Sequence, residues 1–486
     1  MNSWEIKNQI RKRVADEEGV LRKIAPLDVA FCHPASYEVA MSSLGFQAIY
    51  QEIHEHPDAT AERAFLPDNP DEYRRNRLSV FTYENERPLS DFPIVAFSIA
   101  YELEITGIFE ILDLCGIPLL RVERSARHPF ILAGGPLTIS NPAILFPFVD
   151  GVIIGEGEER IHQFLDIAVG EERKSWPTEL ARLPGCYVPG VSTEIPVPCR
   201  APDGRLPASS RILTKNTVLS SMFLIEPERG CSRSCAYCVM RGPRGVGMRI
   251  VSKEEVLRRI PDNARRVGLV GAAVTDHPQI CDLVGDIVES GREIGISSLR
   301  ADRLADHLGE DFVRLLAKGG YRTLTTASDG ASRRMRDMVG RNTEDRHLMR
   351  AAELVRLAGM SRLKLYEMIG FPDENPDDIE ELIRFSLELS KITPLSLSVS
   401  PFVAKRNTPL GDAPFEDLSS LESKFSRIRA GLRGKVDVRP GSPRIAWIEY
   451  MLSQGNESAG LAAMDAWRHG GRFAAWKKAF ASTDTI

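Results

Sequence analysis

The stretch EPERGCSRSCAYCVMRG, residues 226–242, holds three of the chain's eight cysteines within eight positions. Cys231, Cys235 and Cys238 follow the spacing CxxxCxxC, and Gly230 stands directly before the first of them. Thiolates at this spacing can converge on one iron–sulfur cluster, and a glycine gives the backbone freedom to fold around it. Three ligands leave one iron of a 4Fe–4S cluster without a protein thiolate. That iron is open to a substrate or a cofactor.

Two other interpretations of these cysteines are considered. A structural zinc site uses four protein ligands, often as two separated pairs, and the sequence offers no second Cys or His pair at suitable spacing. Inert buried cysteines would be spread at core periodicity, whereas these stand in a polar stretch with Arg229, Ser232, Arg233 and Ser234. The pattern favours a cluster.

Composition limits the class of protein. The 486 residues, 43% of them hydrophobic and 27% charged, are typical of a globular protein with more than one domain. A net charge of -5 gives no overall attraction to nucleic acids or membranes. We find no secretory signal, and the apolar runs end before the roughly 18 residues that a membrane span needs. The cysteines are too few for a disulfide scaffold, so we expect a cytoplasmic protein without a transmembrane segment.

Periodicity divides the chain into four parts. Short apolar runs alternate with amphipathic stretches over residues 1–170, which predicts a doubly wound, Rossmann-like α/β domain whose ligands lie at the carboxyl ends of its strands. Residues 171–215 are rich in Pro, Gly and Ser and are predicted to be a linker. Six strand-like runs with helices between them over residues 216–410 predict a second α/β domain, a full or partial barrel. Residues 411–486 form a helical C-terminal region.

A CxxxCxxC loop after the first strand of an α/β barrel resembles the radical S-adenosylmethionine (SAM) superfamily. The resemblance implies a partial (β/α)6 barrel with a 4Fe–4S cluster on Cys231, Cys235 and Cys238. It also implies SAM bound to the fourth iron through its amino and carboxylate groups, with Tyr237 in the aromatic position before the third cysteine. One electron from the cluster would cleave SAM to methionine and a 5′-deoxyadenosyl radical, which abstracts hydrogen from an unactivated carbon.

Four later segments resemble the SAM contacts of that superfamily imperfectly. They are LVGAAV, where Gly-Gly-Glu is usual, SSLRAD, ASDGAS and the fifth-strand stretch MIGFP. The cofactor-binding residues implied there are Gly271, Ala272, Ala273, Arg300, Asp329, Ser332, Gly370 and Pro372. Structural alternatives stay open, because Arg300 and Asp302 could form a surface ion pair and Ser332 could cap a helix.

The segments ILAGGP and VIIGEGEE resemble the cobalamin (B12)-binding-type domain that precedes many radical SAM barrels. The corrinoid contacts that this resemblance implies are Gly134, Gly135, Gly155, Glu156 and Gly157. Tight turns would explain the same glycines without a ligand. The Asp-x-His-x-x-Gly signature of some cobalamin proteins is missing, since His33 occurs early but at the wrong spacing.

We therefore expect a radical SAM enzyme that methylates or otherwise functionalises a carbon centre of a small or lipophilic molecule, with cobalamin as the candidate methyl carrier. No side chain is singled out as catalytic. One alternative is a methylthiotransferase acting on tRNA or protein, although such enzymes use three more cysteines in the N-terminal domain, where only Cys32 and Cys115 occur. Another is a non-catalytic sensor that binds the cluster and a corrinoid.

Two kinds of partner are expected besides the substrate. An electron donor such as flavodoxin or ferredoxin would reduce the cluster, whereas nucleic acid is not expected as a partner. The basic residues Arg241, Arg244 and Arg249 after the cysteines could bind such a reductant or an anionic substrate, and a solvated loop is the alternative.

Overall fold

The computed structural model describes residues 2–241 and 247–482, and the chain divides into two compact units. Unit 1 comprises Met1–Ser221 together with Met451–Ile486, and unit 2 comprises Met222–Tyr450. No helix of the described residues is long and apolar enough to cross a membrane.

The first part of unit 1 contains eight strands and eight α-helices. The strands are β1 (Glu17–Glu18), β2 (Leu27–His33), β3 (Ala59–Phe65), β4 (Ile94–Ser98), β5 (Phe130–Gly134), β6 (Gly151–Ile153), β7 (Cys186–Tyr187) and β8 (Leu213–Thr214). The helices are α1 (Ser3–Ala15), α2 (Tyr37–Ala40), α3 (Leu44–Glu55), α4 (Pro70–Arg75), α5 (Ile105–Leu114), α6 (Leu137–Ser140), α7 (Glu158–Gly170) and α8 (Trp176–Arg182).

Six of these strands form one sheet in the order β3-β2-β4-β5-β6-β7, and only β7 runs antiparallel to its neighbour. Strands β2 and β3 are buried along almost their whole length, as expected where helices cover both faces of a parallel sheet. The chain adds β3 on one side of β2 and then β4 on the other. This reversal creates a crevice at the carboxyl ends of β2 and β4, where doubly wound folds bind ligands.

A buried ion triad fixes β3 in unit 1. The Arg63 guanidinium donates to Glu17 at 2.7 Å and to Glu84 at 2.6 Å, and its side chain is fully buried. Burial alone would lower the pKa of Arg63, but the two carboxylates raise it well above its usual range. The phenolic hydroxyls of Tyr37 and Tyr50 also donate to this pair of carboxylates. Every charge of the triad is therefore paired, as buried charges need to be.

Residues 171–215, predicted to be a linker, contain short elements of unit 1. Strand β7 lies at the edge of the six-stranded sheet, and β8 pairs with β1 near the N-terminus. Both strands are two residues long, which is too short for a hydrophobic periodicity that would predict them from the sequence.

The described residues of unit 2, 222–241 and 247–450, form nine strands and most of nine further helices. The strands are β9 (Met222–Ile225), β10 (Glu228–Arg229), β11 (Arg249–Ile250), β12 (Arg266–Leu269), β13 (Glu293–Ile296), β14 (Thr323–Ala327), β15 (Arg362–Ile369), β16 (Leu395–Pro401) and β17 (Asp437–Pro440). The helices are α9 (Lys253–Arg259), α10 (Ile280–Glu289), α11 (Ala301–Arg303), α12 (Gly309–Lys318), α13 (Arg333–Met338), α14 (Asp345–Leu357), α15 (Pro376–Ile392), α16 (Leu418–Leu432) and α17 (Pro443–Gln454), which ends in unit 1.

The strands of unit 2 form parallel sheets in the orders β13-β12-β9 and β14-β15-β16-β17. Six of these seven strands correspond to the six predicted ones, and β17 adds a seventh. Strands β10 and β11 form a separate antiparallel pair. The predicted α/β fold class, with a doubly wound domain and a partial barrel, is confirmed.

The last two helices, α18 (Glu457–Arg468) and α19 (Phe473–Ala481), belong to unit 1 rather than to the end of unit 2. The Asn141 side chain donates to the carbonyls of Leu452 and Gly455 at 2.8 Å. The Trp467 indole donates to Glu110 of α5 at 2.9 Å. The sequence predicted a helical region here but contained no sign of where its helices pack.

Candidate functional site

The cysteine loop follows β10, the two-residue strand that comes after β9, the first strand of the barrel. Gly230 has φ +94°, a left-handed conformation that admits glycine most readily and lets the chain turn into the loop. Cys235 is buried, Cys231 and Cys238 are half-buried, and all three are in the reduced, thiol form. The short spacing therefore brings three sulfur donors into one loop.

Backbone hydrogen bonds hold this loop on two sides. The Ala236 amide donates to the Val339 carbonyl at 2.8 Å, and the Leu410 amide donates to the Ala236 carbonyl at 3.0 Å. Gly340, at φ +68°, lets the loop pack closely against it, because a Cβ at this position would lie only 3.3 Å from the Ser234 carbonyl oxygen. Segments distant in sequence thus fix the position of the central cysteine.

Tyr237 and Asp329 are brought together, as their common assignment to a SAM site required. The Tyr237 hydroxyl donates to Asp329 at 2.7 Å, and the Arg341 guanidinium lies 3.2 Å from the same carboxylate oxygen. Burial alone would lower the pKa of Arg341, but Asp329, Tyr237 and Cys235 beside it raise that pKa above its usual range. A permanent positive charge therefore lies next to the central thiol.

Arg300 belongs to a cluster of alternating charges rather than to an exposed surface pair. Its guanidinium donates to Asp302 at 3.1 Å and lies 3.6 Å from Asp276. Arg233 of the cysteine loop contacts both carboxylates, at 3.4 Å and 3.3 Å, and Arg303 lies 3.3 Å from Asp276. The three guanidinium groups exceed the two carboxylates by one charge, which makes the cluster a candidate site for an anionic group.

The Gly271–Ala273 turn is joined to a residue that sequence reasoning missed. The Ala273 amide donates to Glu228 Oε1 at 2.7 Å, and Glu228 itself is fully buried. Burial raises the pKa of Glu228 to about 7, assisted by the neighbouring Glu226 and Asp276. The Gly271–Ala273 turn has no glutamate of its own, but the Glu228 carboxylate from β10 lies beside it. The acidic character of EPERG next to the cysteines was the one sequence signal for it.

Ser332 lies outside the contacts made by Asp329. Its hydroxyl caps α13 by accepting from the Met335 amide at 3.2 Å, and it donates to Asp378 at 2.5 Å. Glu367 of β15 holds the preceding turn, because it accepts hydrogen bonds from the Ser328 hydroxyl and the Gly330 amide. Sequence reasoning missed this buried glutamate as well, since it occupies an otherwise apolar face of the strand.

Gly370 and Pro372 form the turn after β15. Gly370 has φ +88°, and its amide donates to Glu374 at 2.9 Å. Between the two, Phe371 stacks on Phe402 at 4.5 Å between ring centroids, with the Tyr237 ring at 6.1 Å. The turn therefore carries an aromatic surface that approaches the cysteine loop.

In unit 1 the two predicted glycine loops meet at the carboxyl edge of the sheet. The Thr138 hydroxyl accepts from the Gly155 amide at 3.1 Å and donates to the Gly135 carbonyl at 2.8 Å. A Cβ on Gly135 would lie 2.5 Å from the Ile99 carbonyl oxygen, and one on Gly155 would lie 2.4 Å from that of Cys199. Packing against the chain's own backbone therefore accounts for these two glycines without a ligand.

The remaining predicted positions of unit 1 have more room. A Cβ on Gly134 would approach nothing closer than 3.8 Å, and one on Gly157 nothing closer than 3.4 Å. Glu156 accepts from the Ala201 amide at 2.8 Å. His33, at the end of β2, is buried, and this burial lowers its pKa to about 4, so its imidazole is neutral at physiological pH.

The basic residues after the cysteines do not form one described surface. Arg244 lies outside the described residues, as does the side chain of Arg241. Arg249 is buried in β11, opposite Arg229 of β10. A docking surface for a reductant therefore stays a prediction.

The donor set of unit 2 fits an iron–sulfur cluster. Three reduced cysteines on one eight-residue segment can bind three irons of a 4Fe–4S cluster and leave the fourth open.

Comparison with known proteins identifies both units. The family described as "Radical SAM proteins, N-terminal" matches residues 45–189, and the "Radical SAM superfamily" matches residues 225–386. An uncharacterised protein of Methanocaldococcus jannaschii is 27% identical over 381 residues, which cover 76% of this chain and 79% of that protein. A protein of Pyrococcus horikoshii named as an uncharacterised methyltransferase is 23% identical over 277 residues, 54% of this chain and 59% of that one.

Among solved structures, the fold resembles that of OxsB, a cobalamin-dependent SAM radical enzyme with aqua-cobalamin and SAM bound. The TM-score is 0.55 at 17% identity, over 85% of this chain and 58% of OxsB. The chain thus corresponds to little more than half the length of that enzyme. The two family matches, with the CxxxCxxC loop after the first barrel strand, show that the chain belongs to the radical SAM superfamily, whose enzymes hold a 4Fe–4S cluster and SAM as cofactors.

Proposed function

We propose that this radical SAM enzyme methylates, or otherwise functionalises, a carbon centre of a small or lipophilic molecule with the assistance of cobalamin. The observation that carries the proposal is the fold likeness to OxsB over 85% of the chain, which includes the doubly wound sheet of unit 1. The methyltransferase named in Pyrococcus horikoshii supports the same class of reaction.

In unit 2 the chain's own residues would bind and orient the cofactors. Cys231, Cys235 and Cys238 would hold the cluster, which when reduced supplies the electron that cleaves SAM. Arg341 would stabilise the cluster's negative charge beside Cys235, and Tyr237 keeps Asp329 in place through its hydroxyl. A flavodoxin or ferredoxin would act as the electron donor.

In unit 1 the carboxyl edge of the sheet supports a corrinoid site. Gly134 and Gly157 leave space above the strand ends, which a Cβ would begin to fill. Glu156 and Thr138 contribute polar groups at the same edge. We propose that these residues contact cobalamin, while Gly135 and Gly155 shape the loops.

The substrate would contact the exposed face of the β14–β17 sheet. Parallel strands normally carry apolar residues on both faces, but in β15 only the odd-numbered residues 363–369 are buried. On the other face Tyr366 lies opposite Ser398 and is 40% exposed, and the Lys364 amine donates to the Tyr366 hydroxyl at 2.8 Å. Polar groups on this face support a substrate with hydroxyl, carboxylate or phosphate groups close to the reacting carbon.

Cobalamin binding provides the test. Protein with a reconstituted cluster is incubated with hydroxocobalamin under anaerobic conditions, desalted, and analysed for cobalt and for its corrinoid absorbance. We expect about one cobalamin per chain, and a marked loss in Gly134→Leu, whose side chain would occupy the space above β5. Gly45→Leu in α3, where a Cβ meets nothing within 4 Å, serves as the control. Failure of fully cluster-loaded protein to retain cobalamin would contradict the proposal.

Methylthiotransferase activity is the second candidate. A tRNA-2-methylthio-N(6)-dimethylallyladenosine synthase of Halalkalibacterium halodurans is 24% identical over 215 residues, 41% of this chain and 38% of that enzyme. A second cluster would need thiolates in unit 1, but burial raises the pKa values of all four cysteines there, Cys32, Cys115, Cys186 and Cys199. Iron analysis separates the two candidates: about four irons per reconstituted chain favour the first, and about eight favour the second.

A further inference from the structure

Glu228 presents an acceptor oxygen without a partner at the base of the cysteine loop. The residue stands three positions before Cys231, and its side chain is fully buried. Oε1 accepts from the Ala273 amide at 2.7 Å. Among the residues that the structure describes, Oε2 has no hydrogen-bond partner. An unsatisfied buried carboxylate oxygen is costly, so this position needs a ligand or a function to explain it.

The Gly271–Ala273 turn beside Glu228 leaves room for the Glu228 carboxylate. A Cβ on Gly271 would lie 2.2 Å from Glu228 Oε1, so any larger residue would displace the side chain. The nearby Glu226 is engaged by Arg229, at 2.6 Å and 3.0 Å, and Asp276 is surrounded by guanidinium groups. Of these three neighbouring acids, only Glu228 forms no ion pair with a cationic side chain of the described residues.

The chemistry of the missing partner follows from this environment. A buried carboxylate oxygen among other acids favours a nitrogen group that donates hydrogen and carries or develops positive charge. SAM, the cofactor of this superfamily, offers one such group, the α-amino group of its methionine part. Its sulfonium has no hydrogen to donate, its carboxylate would be repelled, and the exocyclic amine of adenine is neutral.

We infer that Glu228 Oε2 accepts a hydrogen bond from the α-amino group of SAM, and that Glu228 from β10 supplies the carboxylate that the Gly271–Ala273 turn lacks. Glu228 is then a binding residue for the cofactor. The inference depends on SAM binding by this chain and is independent of the proposed role of cobalamin. The Arg300 cluster, with its excess of positive charge, is available to the carboxylate of the same cofactor.

A thermodynamic cycle between protein and ligand tests the inference. Anaerobic calorimetry measures the Kd of S-adenosylhomocysteine, which is not cleaved, and of its desamino analogue on cluster-loaded protein. We expect the wild type to bind S-adenosylhomocysteine at least about tenfold more tightly than the desamino analogue, since the hydrogen bond involves charge. Glu228→Gln keeps the shape and the acceptor for Ala273 but presents an amide, so we expect its preference for the amino group to fall about tenfold, to the part that ligation by the fourth iron provides.

Two further variants keep the result interpretable. Gly271→Ala retains Glu228 but pushes its carboxylate aside, and its preference for the amino group should be reduced to the same extent as in Glu228→Gln. Glu226→Gln removes a neighbouring charge that Arg229 already pairs, and it should keep the wild-type preference. A Glu228→Gln protein that retains the full preference would overturn the inference and leave SAM binding intact. A cluster-loaded wild type that binds neither ligand would overturn the inference together with the SAM site itself.

Discussion

At the scale of the residue, the candidate site depends on groups whose sequence context gives little warning of their role. The three cysteines are recognisable because binding one cluster requires thiolates at this close spacing, which the sequence shows directly. Glu228 and Glu367 are different, since each is a single acid in a strand and its partners come from distant loops. A sequence contains no measure of burial, so it cannot show that such an acid lacks a counter-charge. The spacing therefore predicted the cluster ligands, and the supporting carboxylates emerged only from the structure.

Glu367 gives a prediction about pH. Burial raises its pKa to about 7 from the 4.5 of an exposed glutamate, so the folded chain retains a proton that the unfolded chain releases. Its protonation therefore stabilises the fold fully below pH 4.5, and this stabilisation is lost as the pH rises through 7. Since Glu367→Gln cannot ionise, we expect the variant to gain about 3 kcal/mol relative to the wild type between pH 4.5 and pH 8.

Differential scanning calorimetry of both proteins across this pH range measures the effect as a Tm difference that grows with pH. Glu353→Gln, on the partly exposed face of α14, serves as the control and should show a constant difference. A Tm difference between Glu367→Gln and the wild type that does not change with pH would contradict the assignment.

At the scale of the element, hydrophobic periodicity predicted the longer strands and helices well. Strands such as β2 and β15 are long enough to show their patterns, and helices such as α15 carry both an apolar stripe and an N-terminal Asn-Pro cap. Two-residue strands such as β7, β8, β10 and β11 carry no period at all. The hairpin that supports the cysteine loop belongs to this second group, which is why the sequence placed the loop directly after one strand.

The buried triad of β3 leads to a stability prediction. Arg63→Ala would leave Glu17 and Glu84 buried without their shared cation, and we expect unit 1 to lose about 3–5 kcal/mol of unfolding free energy. Arg11→Ala breaks an ion pair with Glu86 in which the arginine is 59% exposed, and it should cost much less, because solvent screens an exposed pair. Urea unfolding followed by circular dichroism compares the two, and equal losses would show that the buried triad contributes no more than a surface pair.

Adjacent glycines of β5 and its loop separate turn geometry from ligand binding. Gly135→Ala introduces a side chain at φ +103° and 2.5 Å from the Ile99 carbonyl oxygen, so we expect a loss of about 1–3 kcal/mol. Gly134→Ala has no such contact and should change stability by less than about 0.5 kcal/mol. The measurement is thermal unfolding of protein without cobalamin. A larger effect at Gly134 than at Gly135 would contradict this account of the loop.

At the scale of the whole molecule, the sequence predicted the two α/β architectures but not all of the boundaries between the two units. The change in composition after residue 170 suggested a linker, yet β7 joins the sheet of unit 1, and α18 and α19 return to the same unit. These contacts are long-range in sequence, so local composition cannot encode them. Assignment to the superfamily depends on the cysteine motif and its place after the first barrel strand, and both could be predicted from the sequence.

The central claim is that the cysteine loop supports reductive cleavage of SAM. The most direct measurement is the amount of 5′-deoxyadenosine formed when anaerobic, cluster-reconstituted protein receives dithionite and SAM. We expect deoxyadenosine from the wild type and from Cys281→Ala, which removes an exposed thiol of α10, and at least about a hundredfold less from Cys235→Ala. Deoxyadenosine that persists at the wild-type level in Cys235→Ala, or its absence from wild type that carries a fully reduced cluster, would contradict the account.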